Sequence, residues 1–315
     1  MKIKYEERKF TKSNLELIER VNAVIGEYSR QGFGLTLRQV YYQLVARGFI
    51  ENTEKSYKRI IDLVSNARLA GLIDWDAITD RTRNLRGGNA NITPAEKIEY
   101  AARYFSLDKW TNQPNYAEVW VEKDALVDVI GKACYDSDTR YFSCRGYCSL
   151  SEMWQAAQRF IRREDREGRY NYIIYLGDHD PSGIDMPRDI ADRLKLFGAN
   201  VEIRRVALTM KQIQTFNPPP NPAKTTDKRA ADYIRKFGEQ SWELDALEPQ
   251  FITQLIQSEI RKLMDTDIIA EICELENKQR AELQLISDNY YDAVAYLQKK
   301  LARDTSADRK ENTDE

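Results

Sequence analysis

The stretch Y-N-Y-I-I-Y-L-G-D-H-D-P-S-G, residues 170–183, decides the reading of this chain. Its first eight residues are mostly aromatic and β-branched, the composition of a buried strand. Two carboxylates, Asp178 and Asp180, follow at once, and then Pro181 and Gly183, which suit a sharp turn out of the strand into a helix. A strand that ends in acidic residues and turns into a helix is half of a βαβ unit.

Neighbouring segments supply the rest of the unit. A-E-V-W-V at 117–121 runs directly into Glu122, Lys123 and Asp124, while T-R-Y-F-S at 139–143 and V-E-I-R-R-V-A-L at 201–208 are further short β-rich runs. Helical stretches beginning near Asp124, Leu150 and Ile184 separate them. Alternating β and α elements predict a mostly parallel, Rossmann-like sheet covered by helices, and ligands in such sheets sit at the carboxyl ends of the strands. Glu122, Asp178 and Asp180 all fall there.

Upstream the period is helical. Leu15, Ile18, Val21, Ile25 and Tyr28 recur every three or four residues and predict a helix over 12–30. Thr36 and Gln39 have capping-box spacing before an apolar stripe of Leu37, Val40, Tyr41, Leu44 and Val45, a second helix closed by Gly48. A third runs from about Thr53 to Leu69, with Lys55, Lys58, Arg59 and Arg68 on its outer side. L-I-D-W-D-A-I at 72–78 reads as a short strand leading into the basic loop of Arg81, Arg83 and Arg86. Three helices, a strand and a basic loop form the pattern of a winged helix-turn-helix domain; a small helical domain with solvated charges has the same pattern.

Downstream, N-P-P-P-N-P-A-K-T-T at 217–226 reads as a linker or surface loop that is neither helix nor strand, because its prolines remove donors and fix φ. Residues 249–303 read as helices, with Ile286, Tyr290, Val294, Leu297 and Leu301 forming a stripe in need of a partner surface. The polar tail from Thr305 reads as disordered. The resulting division is a DNA-binding domain at 1–110, a sheet domain at 111–248, C-terminal helices at 249–304 and a tail at 305–315.

Composition narrows the chemistry. The 315 residues are 42% hydrophobic and 31% charged, which predicts a globular protein without a membrane span, and the polar N-terminus points to the cytoplasm. Four cysteines without a C-x-x-C pair and a single histidine, His179, argue against zinc and disulfide frameworks. A metal in this chain must sit on carboxylates, which favours a hard ion such as Mg²⁺. The net charge of −2 hides an asymmetry: residues 265–315 hold 13 Asp and Glu against 7 Lys and Arg, so the remainder is mildly basic.

Alternate residues of an extended chain point the same way, so Asp178 and Asp180 can converge on one cation, with Glu122 from the neighbouring strand as third ligand. By the same alternation His179 points away from the metal. A lone D-x-D is also what a solvated acidic loop looks like; the second acidic strand end favours the metal. Glu118 reads as a surface residue.

V-E-K-D-A-L, C-R-G-Y-C-S-L-S-E-M-W and G-D-H-D-P-S-G-I-D-M, in this order, resemble the Toprim domain of the DNA topoisomerase VI A subunit and its meiotic double-strand-break relatives. L-R-Q-V-Y-Y-Q-L resembles the segment that carries this family's nucleophilic tyrosine in a winged-helix domain. The similarity spans roughly residues 36–250. Gln39 departs from the pattern, since an acidic residue commonly follows the arginine there, and the winged-helix loop has diverged.

The resemblance implies tyrosine transesterification on double-stranded DNA, with Tyr42 as nucleophile, Arg38 holding the scissile phosphate or favouring phenolate, and Mg²⁺ on Glu122, Asp178 and Asp180. Helix geometry agrees with the choice of tyrosine, because Tyr41 lies in the apolar stripe and Tyr42 is turned about 100° from it. DNA contacts are assigned to Lys58, Arg59, Arg83, Lys123 and Arg145, and Trp242, Glu243 and Asp245 resemble a late segment of structural role. The resemblance also implies a homodimer that assembles each site from both chains, and a GHKL-type ATPase B subunit as partner. Two rival readings stay open: a hydrolytic Toprim nuclease without a covalent intermediate, and a non-catalytic winged-helix DNA-binding protein.

Overall fold

The computed structural model describes residues 1–78, 93–223, 227 and 229–311. In chain order the helices are α1 (Lys12–Arg30), α2 (Leu37–Ala46), α3 (Glu54–Leu69), α4 (Pro94–Arg103), α5 (Val127–Cys134), α6 (Leu150–Glu167), α7 (Pro181–Leu196), α8 (Met210–Phe216), α9 (Ala230–Phe237), α10 (Pro249–Arg261), α11 (Thr266–Asp288) and α12 (Tyr290–Glu311). The strands are β1 (Asn115–Val121), β2 (Arg140–Ser143), β3 (Tyr170–Leu176), β4 (Glu202–Ala207), β5 (Asn221–Pro222) and β6 (Gln240–Ser241). The protein is thus α/β. Among the described residues, no helix is long and apolar enough to cross a membrane.

Packing groups the chain differently from its linear order. One compact unit joins Met1–Asn84 to Asn112–Met264, and a second joins Leu85–Thr111 to Asp265–Glu315. The first three helices therefore share a unit with the sheet.

The sheet has the order β2-β1-β3-β4 and every pairing in it is parallel. From β1 the chain crosses to β2 on one side and later returns to β3 on the other. The direction of winding reverses between β1 and β3, and the crevice at their carboxyl ends is where open α/β sheets place ligands. Val121 pairs with Leu176, and the Glu122 amide continues the ladder by donating to the Leu176 carbonyl at 2.9 Å. This register sets Glu122 beside the Gly177–Asp178 turn.

Glu118, read as a surface residue, is buried in the middle of β1. The reason is pairing: its carboxylate accepts from the Tyr116 hydroxyl at 3.0 Å and the Trp120 indole at 2.9 Å on its own strand, and from Arg159 of α6 at 3.0 and 3.1 Å.

Several boundaries differ from expectation. Residues 72–78 do not form a strand; Trp75–Ala77 is a 3₁₀ turn capped by Asp74, and only Ile78 makes a bridge, to Leu35. Arg68 turns back over the Trp75 ring, 4.7 Å from its centroid. Helix α7 starts at Pro181, three residues early, because proline is tolerated at the first helical position and Asp180 supplies the cap. The proline-rich stretch contains β5, whose two residues pair antiparallel with β6. Proline is accommodated there because such a ribbon is all edge. Helix α12 runs on to Glu311, past the point at which the tail was expected to lose structure.

In the second unit α4 lies along α11, where Glu276 binds Lys109, accepts from the Leu107 amide at 2.8 Å and pairs with Arg280 at 2.7 Å. Ile286, Leu297 and Leu301, part of the expected apolar stripe, are exposed.

Candidate active site

Three segments of the first unit meet at the carboxyl edge of the sheet. Helix α2 brings Arg38 and Tyr42, the ends of β1 and β3 bring Glu122, Lys123, Asp178 and Asp180, and the strand β6 with the 3₁₀ turn after it brings Trp242, Glu243 and Asp245. Between them lies a cavity of about 570 Å³, lined among others by Arg38, Tyr42, Asp178, Asp180, Asn221 and Glu243. Tyrosine and acidic strand end line one cavity within a single chain, whereas the resemblance implied that two chains combine them.

Glu122 is buried, and its Oε2 accepts the Asp178 amide at 2.9 Å. Gly183 keeps this contact possible: a Cβ there would stand 2.3 Å from the Asp178 carbonyl oxygen and 2.9 Å from Glu122 Oε2. Burial first, and then the charges of Asp178 and Asp180, push the Glu122 carboxyl up to about 7, against the pull of the Asp178 amide and Lys123. Asp178 is also raised by burial, opposed chiefly by Lys123. Its Oδ1 accepts the Leu244 amide at 2.8 Å, and its Oδ2 lies 2.9 Å from Lys123 Nζ. Asp180 is the N-cap of α7, its Oδ1 accepting from Gly183 N at 2.6 Å and the Ser182 hydroxyl at 3.0 Å.

The three carboxylates are thus each engaged by donors of the chain, and among the described residues no group of three Asp, Glu, His or Cys is already drawn together as a metal cage. In donor type and charge they still suit a hard divalent ion. All are oxygen ligands, and Glu122, raised by burial and then by the charges of Asp178 and Asp180, is a group whose ionised form a cation would favour.

His179 faces elsewhere, as alternation predicts. Its ring packs edge-on against Tyr233, Phe237 and Trp242, its Nδ1 is 2.8 Å from the Tyr233 hydroxyl, and its backbone pairs with Trp242. Burial, with Arg205 nearby, pushes the imidazole down to about 4, so it is neutral at physiological pH.

Tyr41 and Tyr42 are both buried, although Tyr42 is turned from the apolar stripe of α2. Their hydroxyls differ. Tyr41 donates into Asn52 Oδ1 at 3.0 Å and the Thr53 carbonyl at 3.1 Å. Tyr42 instead meets Asn221 and Arg38, whose guanidinium carbon is 5.6 Å from its ring centroid. Arg38 does lower the Tyr42 phenol, but burial and Asp245 outweigh it and the net shift is upward. The phenol is therefore protonated at neutral pH in the free protein.

Sequence reasoning missed the part played by Glu243 and Asp245. Arg38 Nη2 is 2.8 Å from Glu243 and its Nε 3.1 Å from Asp245, while Lys123 Nζ contacts Glu243 directly and lies 3.6 Å from Asp245. The signal was present: W-E-L-D-A-L has its two acids at i,i+2, as in D-H-D.

Glu122 and Lys123 stand behind the cavity's lining rather than in it, and Lys58, Arg59 and Arg145 also lie outside it. Lys58 is exposed and paired with Glu54 at 2.7 Å. Arg59 donates to Asn14 at 3.0 Å and faces a separate groove of about 700 Å³ shared with Glu6, Glu7 and Arg8. Arg145 is exposed and paired with Asp124 at 3.1 Å. Arg83 lies outside the described residues.

Comparison with known proteins returned no matching family model, no matching curated protein and no matching solved structure.

Proposed function

We propose that this protein cleaves double-stranded DNA in the manner of the topoisomerase VI A subunit, with α1–α3 acting as a winged-helix-like DNA-binding element and the parallel sheet as a Toprim domain. The observation that carries the reading is the single cavity in which Arg38 and Tyr42 face Asp178 and Asp180. The order of the motifs along the chain supports it, as does the position of Glu122 and Asp178 at the switch point of the sheet.

In this reading the Tyr42 oxygen gives its proton to solvent and forms the new bond to phosphorus while the bond from phosphorus to the 3′ oxygen breaks, so that oxygen leaves, takes a proton from solvent and becomes a 3′ hydroxyl, giving a 5′-phosphotyrosyl end. Arg38 draws the phosphate to Tyr42. Glu122, Asp178 and Asp180 would hold Mg²⁺, which when bound offsets charge developing on the phosphate oxygens. A homodimer and a GHKL-type ATPase partner belong to the same proposal.

One observation favours a second reading, hydrolysis without a covalent intermediate: burial keeps the Tyr42 phenol protonated. Denaturing the reaction with detergent and probing for DNA joined to protein separates the two. The transesterase predicts covalent joining in the parent and in Tyr41→Phe, and none in Tyr42→Phe. Cleavage at the parent rate by Tyr42→Phe, with free ends in both, would establish hydrolysis. No cleavage by the parent under any divalent ion would leave a DNA-binding module.

A further inference from the structure

Arg38 lines the cavity and Lys123 stands beside it at the end of β1, and neither is unpaired. They share two acids, Glu243 and Asp245, and Lys123 reaches Asp178 as well. The acids are differently placed. The Asp245 side chain is wholly inaccessible and sits behind the cations, between α2 and the end of β1, whereas the Glu243 side chain is 21% exposed and lines the cavity. Glu243 precedes the 3₁₀ turn Leu244–Ala246 and its side chain makes no capping bond there. Arg38 keeps 42% of its side chain exposed.

One carboxylate oxygen, Glu243 Oε2, meets both the Arg38 guanidinium and the Lys123 ammonium, as a shared phosphate oxygen would. We propose that Glu243 is a resident substitute for phosphate: it holds Arg38 and Lys123 in place in the free protein and gives them up when a phosphate group enters the cavity, while Asp245 remains as the fixed counter-charge. The inference rests on the reading of this cavity as a nucleic-acid phosphate site, and it adds a residue that sets how strongly that site takes anions. Displacement of Glu243 is an internal competition, so the affinity of the parent for phosphate is lower than its two cations would otherwise allow. Asp245 cannot be displaced in this way, because it is buried and has no solvent to turn to.

Calorimetric titration of the full chain with inorganic pyrophosphate, in chelator and at fixed ionic strength, tests this without any cleavage step. Glu243→Gln keeps the shape and removes the competing charge, and should bind pyrophosphate about tenfold more tightly than the parent, the gain expected when charge-assisted bonds no longer have to be broken. Arg38→Ala in the Glu243→Gln background should abolish the gain. Asp245→Asn should not tighten binding and should lower the melting temperature. A Glu243→Gln protein that melts like the parent but binds pyrophosphate equally or less well, or no detectable binding by either, overturns the proposal. The same tightening in a protein that never cuts DNA would leave this inference standing and remove transesterification; normal cutting by the parent with unchanged anion affinity in Glu243→Gln would do the reverse.

Discussion

Glu122→Gln removes one charge from the site with almost no change of shape, and the amide oxygen can still accept the Asp178 N–H. In the folded protein the Glu122 carboxyl rises from an ordinary 4.5 to about 7. Between those values the folded chain holds a proton that the unfolded chain releases, so this group lowers stability as pH rises through the window and contributes no further slope above it. A shift of this size corresponds to about 3 kcal/mol. The variant lacks the term, so it should gain about 3 kcal/mol relative to the parent between the acid and alkaline ends of the window. Urea unfolding of both proteins across that range, followed by tryptophan fluorescence, measures the difference directly. Saturating Mg²⁺ at the alkaline end should narrow the gap, because a bound cation favours the ionised carboxylate. A parent-to-variant difference that stays level with pH would refute the account of Glu122 as a buried acid raised by its surroundings.

Asp180 caps α7 and, in the proposed function, would also hold Mg²⁺, and one substitution separates the two: Asp180→Asn keeps a good N-cap and should leave the melting temperature near the parent's while losing Mg²⁺-dependent cleavage, whereas Asp180→Ala should also cost about 1 kcal/mol of stability. Asp178→Ala should abolish cleavage too, and full activity in that variant would remove Asp178 from the metal site. Gly183→Ala should destabilise by about 3 kcal/mol, since its Cβ meets a backbone carbonyl that cannot move aside; wild-type stability in chemical denaturation would show that the strand-to-helix turn is looser than described. Glu118→Ala strands Arg159 against the sheet and should cost roughly 3 kcal/mol, with Glu118→Gln losing less; equal melting of parent and Ala variant would contradict the buried pairing.

The alternation of strand and helix, the three upstream helices and the acidic ends of β1 and β3 were all legible in the sequence, because each depends on periods of a few residues and on Gly, Pro and capping side chains acting on their neighbours. Asp178 and Asp180 announce themselves by spacing alone. What tertiary structure decided depends on residues far apart in the chain. Glu118 has neighbours Tyr116 and Trp120 to donate to it, but the counter-charge comes from Arg159, some forty positions on, and no local pattern records that. Residues 72–78 carry strand-like side chains yet make only one bridge, since a strand needs a partner edge. Tyr42 is turned from the apolar stripe of α2 as helix geometry requires, but the segment around Asn221 and Asp245 closes over it and reverses the expected sign of its shift. Glu243 and Asp245 become part of the site only because the turn after β6 folds back between α2 and the sheet, where two cations drawn from other segments need counter-charges.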